Sequence, residues 1–100
     1  MLKGKSYLDE NNNVHVEMEG HTDEYICSAV STLMQTYVAC GGQAKAFEDG
    51  KMHVLIPAIE VDPDLWEYGR FLITGLLLLK QDERTHGKYE FLVEKKEDEC

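Results

Sequence analysis

A chain of 100 residues with 19 acidic and 10 basic side chains has room for one domain and carries a net charge of −9. That balance excludes a sequence-independent binder of duplex DNA or RNA. Phosphate neutralisation needs clustered Lys and Arg, and the nearest pair, Lys95-Lys96, is embedded in acids. An acidic surface favours encounter with a basic partner, and equally serves solubility. Hydrophobic content of 43% supplies a core without disulfides or a structural metal. The longest apolar run, Phe71 to Leu79, is too short to span a bilayer, and Met1 to Lys5 lacks the apolar run of a signal peptide. Cys27, Cys40 and Cys100 have no framework spacing, and no His/Cys pair has metal-site spacing. The expectation is a cytoplasmic protein with free thiols, no metal and no other cofactor.

Leu2 to Leu8 reads as a first strand, and Asp9 to Asn13 as a polar turn. Val14, Val16 and Met18 alternate with His15, Glu17 and Glu19, so a second strand follows and the two form a hairpin. Ile26, Ala29, Val30, Leu33, Met34, Tyr37 and Val38 then make one unbroken apolar helical face. Thr22 or Asp23 is its N-cap, and Gly41-Gly42 stops it. Gln43 to Glu48 and Lys51 to Ile56 flank Asp49-Gly50, a strong hairpin signal, and Pro57 ends the pair. Asp62-Pro63-Asp64 opens a second helix, expected to run to about Arg84. Its middle, Phe71 to Leu79, is apolar nearly all round, which implies cover on more than one side and hence a homodimer. Tyr89, Phe91 and Val93 mark a last strand. The fold class is α+β in the order ββαββαβ, two helices packed on one mostly antiparallel sheet. Residues 1–94 form the domain, and 95–100 a charged C-terminal tail.

The chemistry concentrates between Gly20 and Ser31. Cys27 falls in the first turn or so of the first helix, where backbone N–H groups and the macrodipole favour a thiolate. His21 stands just past the second strand, held by Gly20, so the strand end and the helix start bring both side chains to the sheet's rim. The helix-start N–H groups can receive an oxyanion. Ser31, one turn after Cys27, is placed to hydrogen-bond the thiolate or a substrate. The packing alternative makes Cys27 a small core hydrophobe, yet it lies beside the apolar face and not in its centre. His15 and His53 sit on polar strand positions and read as solvated, Cys40 as packing, and Cys100 as an exposed thiol. Tyr25 either lines the Cys27 site or caps the helix face, and Trp66, Tyr68 and Phe71 are core or interface aromatics.

Gly20-His21, followed by Ile26-Cys27-Ser28-Ala29-Val30-Ser31-Thr32-Leu33, resembles the signature of the ribosomal-processing cysteine proteases (Prp). That signature is Gly-His, a loop, then Asp-Ile-Val-Cys-Ala-Ala-Val-Ser and a helix. The element order and the apolar second helix extend the resemblance over nearly the whole chain. It implies a homodimeric cysteine endopeptidase with Cys27 as nucleophile, His21 as base and then acid, and Gly20, Glu24 and Ser31 in support. Its protein substrate would be the N-terminal extension of a ribosomal large-subunit protein, or a phage capsid or scaffold protein. The chain departs from the pattern in two ways. Five residues separate His21 from Cys27, about half the family's loop, and Glu24 stands where the family has Asp. A non-catalytic homodimeric binding protein of the same fold is the alternative.

Overall fold

The computed structural model describes residues 1–48 and 50–94. Strands β1 (Leu2–Leu8) and β2 (Val14–Gly20) form the first hairpin. Asp9 closes it, its Oδ1 accepting from the N–H groups of Asn11 at 2.8 Å and Asn13 at 3.0 Å. Helix α1 (Glu24–Ala39) is capped by Asp23, whose carboxylate accepts from the Ile26 N–H at 3.1 Å. Strands β3 (Gln43–Glu48) and β4 (Lys51–Ile56) have the expected bounds; Asp49 in their turn lies outside the described residues.

Helix α2 (Pro63–Lys80) starts as expected, with Asp62 accepting from the Leu65 N–H at 3.1 Å. It stops at Lys80, short of the expected Arg84. The buried Thr85 hydroxyl shares its one proton between the Asp82 carbonyl at 2.8 Å and the Leu79 carbonyl at 3.1 Å, which closes the helix end as Glu83–Thr85 folds into a 3-10 turn. Strand β5 (Tyr89–Val93) completes the chain. The charged tail, 95–100, and Cys100 within it lie outside the described residues.

The five strands are ordered β3-β4-β2-β1-β5. Three pairings are antiparallel, and β1 with β5 is parallel, because α2 carries the chain back across the sheet. Alternate strand residues (Leu2, Val16, Met18, Val54, Ile56 and Phe91 among them) meet Ile26, Val30 and Met34 of α1 and Leu72 and Leu76 of α2 in one core. The sheet's other face carries charge. Glu90, Lys3, Glu19 and Lys51 stand in one cross-strand row, each acid beside a base.

On that polar face His15 and His53 are not separately solvated, as their strand positions suggested. His15 Nδ1 lies 2.8 Å from His53 Nε2, and His15 Nε2 lies 2.9 Å from Asp9 Oδ2. The Tyr7 ring stacks flat on His15, and its hydroxyl donates to Glu17. Burial first, then the Glu17 carboxylate, pushes the Tyr7 hydroxyl up to about 12. The hydrogen bond to His15 brings the Asp9 carboxyl down to about 2.

Candidate active site

Strand β2 ends at Gly20, whose φ of +107° turns the chain out of the sheet. A β-carbon there would stand 2.4 Å from the Met1 carbonyl oxygen, so the backbones pass too closely for any side chain. Leaving the sheet in this way exposes His21 at the rim. Thr22 and the cap Asp23 follow at once, and α1 begins. Cys27 is therefore the fourth helical residue, and its N–H donates to the Asp23 carbonyl at 3.1 Å. Its thiol is half-buried and donates to the Thr22 carbonyl at 3.6 Å.

These residues face a cleft of about 580 Å³. One wall is the flank of α1: Glu24, Cys27, Ser28, Ser31, Thr32 and Gln35. Ser31 Oγ accepts from Gln35 Nε2 at 2.8 Å. The opposite wall is the end of the β3–β4 hairpin, with Phe47, Glu48, Gly50 and Met52, and Leu2 and Met18 lie between. Gly20 and His21 close the rim. All five residues singled out in the sequence, Gly20, His21, Glu24, Cys27 and Ser31, thus line one cavity. Among the described residues its carboxylates are those of Glu24 and Glu48, and neither Lys nor Arg is in the lining.

The hairpin wall is what sequence reasoning missed. Asp49-Gly50 announced the turn, but nothing local in the chain says that this turn sits beside His21. Pairing of β2 with β4 brings it there, and the Gly20 N–H donates to the Gly50 carbonyl at 2.9 Å. The His21 ring lies against Gly50: a β-carbon at that glycine would be 2.7 Å from Nε2.

The helix start is anchored from outside the cleft. The Asp23 carboxylate also accepts from Lys88 Nζ at 3.0 Å, and the Ile26 N–H first, then Lys88, holds its carboxyl below the usual range. Tyr25, for which the sequence left two roles open, points away from Cys27. Its hydroxyl donates to Asp82 Oδ2 at 3.1 Å and accepts from Arg84 Nη2 at 2.7 Å, with the guanidinium 4.3 Å from its ring centre. Among the described residues, no group of three His, Cys, Asp or Glu side chains is placed to hold a metal ion.

No family model matches the sequence, and no curated protein matches it significantly. Solved structures do. Prp, an essential ribosomal processing protease from S. aureus, matches in a complex with a covalently linked product peptide at a TM-score of 0.72. The sequences are 13% identical, over 94% of this chain and 100% of that one. The same protease with a substrate peptide gives 0.71 and 12%, over 96% and 100%. A Streptococcus mutans protein gives 0.71 and 17%, over 96% of each chain. This is a Prp-like fold. The likeness to Prp covers 94% of this chain in one complex and 96% in the other, so it is a likeness of the fold as a whole.

Proposed function

We propose that the protein is a cysteine endopeptidase of the ribosomal-processing type, with Cys27 as nucleophile and His21 as its proton partner. The supporting observation is the single cleft at the end of β2 and the start of α1, lined by both residues together with Gly20, Glu24 and Ser31. His21 takes the thiol proton as the sulfur attacks the scissile carbonyl carbon. The oxyanion forms at the N-terminal end of α1, where the helix dipole favours negative charge. The C–N bond then breaks, and the leaving amine takes the proton from His21. Water, losing a proton to the same ring, attacks the thioester; the acid product leaves and the thiol is restored.

A polypeptide substrate fits a cleft open along the flank of α1, and the solved Prp complexes hold peptides. Glu24 and Glu48, on a chain of net charge −9, favour a basic protein, such as the N-terminal extension of a ribosomal large-subunit protein or a phage capsid or scaffold protein. The enzyme acts in the cytoplasm as a homodimer. No described helix is long and apolar enough to cross a membrane.

Intact-mass spectrometry of such substrates, incubated with wild type and with Cys27→Ala, tests the proposal. Wild type is expected to release a defined N-terminal fragment, faster at low salt than at high, and Cys27→Ala to release none while keeping its fold. Binding without any cut would replace the enzyme by a binding protein of the same fold.

A further inference from the structure

We infer that Gly50, at the β3–β4 turn, is a positioning residue for the His21 imidazole: the side chain it lacks is the space in which the ring is seated. The inference rests on the reading of His21 as the partner of Cys27. Two independent contacts carry it. An ideal β-carbon at Gly50 would lie 2.7 Å from His21 Nε2, 3.3 Å from Cε1 and 3.4 Å from Cδ2, so its three nearest atoms beyond the adjoining residues all belong to this one ring. The Gly50 carbonyl also accepts the N–H of Gly20, the residue immediately before His21, at 2.9 Å. The turn therefore fixes the backbone that delivers His21 and walls the ring that the backbone delivers.

The collision a side chain would cause falls on the far end of an exposed side chain and not on backbone. The ring yields more easily than the turn does, and the fold survives while the imidazole leaves its seat. Gly50 has a second reason to be glycine, its φ of +81°, and the two reasons separate by chirality. Asn tolerates this backbone conformation but carries a β-carbon on the His21 side. A D-alanine is at ease with positive φ and carries its β-carbon on the other side.

The test compares Gly50→Asn, made by expression, with Gly50→D-Ala, made by joining a synthetic segment 40–100 to segment 1–39 at the native Cys40. Three quantities are read on the full chain: thermal unfolding, the NMR signals of the His21 ring protons, and the rate at which iodoacetamide alkylates Cys27 at pH 7. Gly50→Asn is expected to unfold within a few degrees of wild type, to move the His21 signals, and to slow Cys27 alkylation about fivefold as the thiol loses its proton acceptor. Gly50→D-Ala is expected to match wild type in all three.

His21 signals unmoved in Gly50→Asn, or moved as far in Gly50→D-Ala, would overturn the inference. So would a Gly50→Asn chain that does not fold, since the turn and not the ring would then be what resists. Moved signals with unchanged alkylation would uphold the seat for the ring and remove instead the pairing of His21 with Cys27.

Discussion

Replacing Phe71 by Asp tests the proposed homodimer at a point where the structure leaves a large apolar side chain uncovered. Helix α2 buries Gly69, Leu72 and Leu76 against the sheet, and its outer face keeps Phe71 71% exposed, Leu78 60% and Tyr68 41%. Positions 68, 71 and 78 follow the helical repeat, so the three make one stripe facing away from the core. A phenylalanine side chain of roughly 200 Å², 71% exposed, offers about 140 Å² to a partner, or about 3.5 kcal/mol at 25 cal/mol/Å². A twofold axis through the stripe doubles this to about 7 kcal/mol, and the substitution sets two carboxylates close together near the axis. Partial cover and relaxation reduce the figure, leaving an expected rise in dimer Kd of about 100-fold or more. Sedimentation velocity between about 1 and 100 μM reads it directly. Phe71 is exposed in the monomer, so unfolding of the monomeric variant is expected to shift by no more than about 0.5 kcal/mol. A wild-type chain that stays monomeric at 100 μM, or a variant with an unchanged dimer constant, refutes the reasoning.

Gly69→Ala sets helix propensity against packing. A β-carbon there lies 2.6 Å from two carbons of the buried Ile56 side chain, so overpacking of about 1–3 kcal/mol outweighs the roughly 1 kcal/mol of helix gain, and a lower urea midpoint is expected. Acid stability carries a histidine signature. Desolvation first lowers the folded-state value of His53 below 6.5, so the unfolded chain binds the proton more readily and stability present above 6.5 is lost as pH falls below it. Urea midpoints measured from pH 7.5 to 5 should decline, and His53→Gln should flatten that decline; an equally steep slope in the variant counts against this role. The Asp9 carboxyl, brought from 3.8 to about 2, adds a separate loss only below about pH 4.

Most of the architecture was legible because short-range chemistry and long-range packing agree. The apolar face from Ile26 to Val38 needs a helix, and Asp23 and Asp62 cap their helices through their own side chains. The Asp-Gly pair sets the bounds of β3 and β4. Failures occur where a distant group decides. After Leu79 the residues Lys80 to Arg84 are polar but compatible with a helix, so nothing in them marks an end; the hydroxyl of Thr85, folding back on the Leu79 carbonyl, sets it. His15 and His53 stand at polar positions of strands far apart in sequence, and only the pairing of β2 with β4 sets their rings together.

The site divides along the same line. Its Cys27 wall belongs to one continuous segment, in which a strand end, a tight exit and a capped helix follow within a dozen residues, and each step is readable from residue type. The other wall is made by topology. With β4 placed between β3 and β2, the far end of the β3–β4 hairpin comes level with the exit of β2, and Phe47, Glu48, Gly50 and Met52 reach the cleft. A lone His-Cys spacing is therefore only half of a site. What converts it into a cleft is a hairpin whose Gly50, set against the His21 ring, contributes by having no side chain at all.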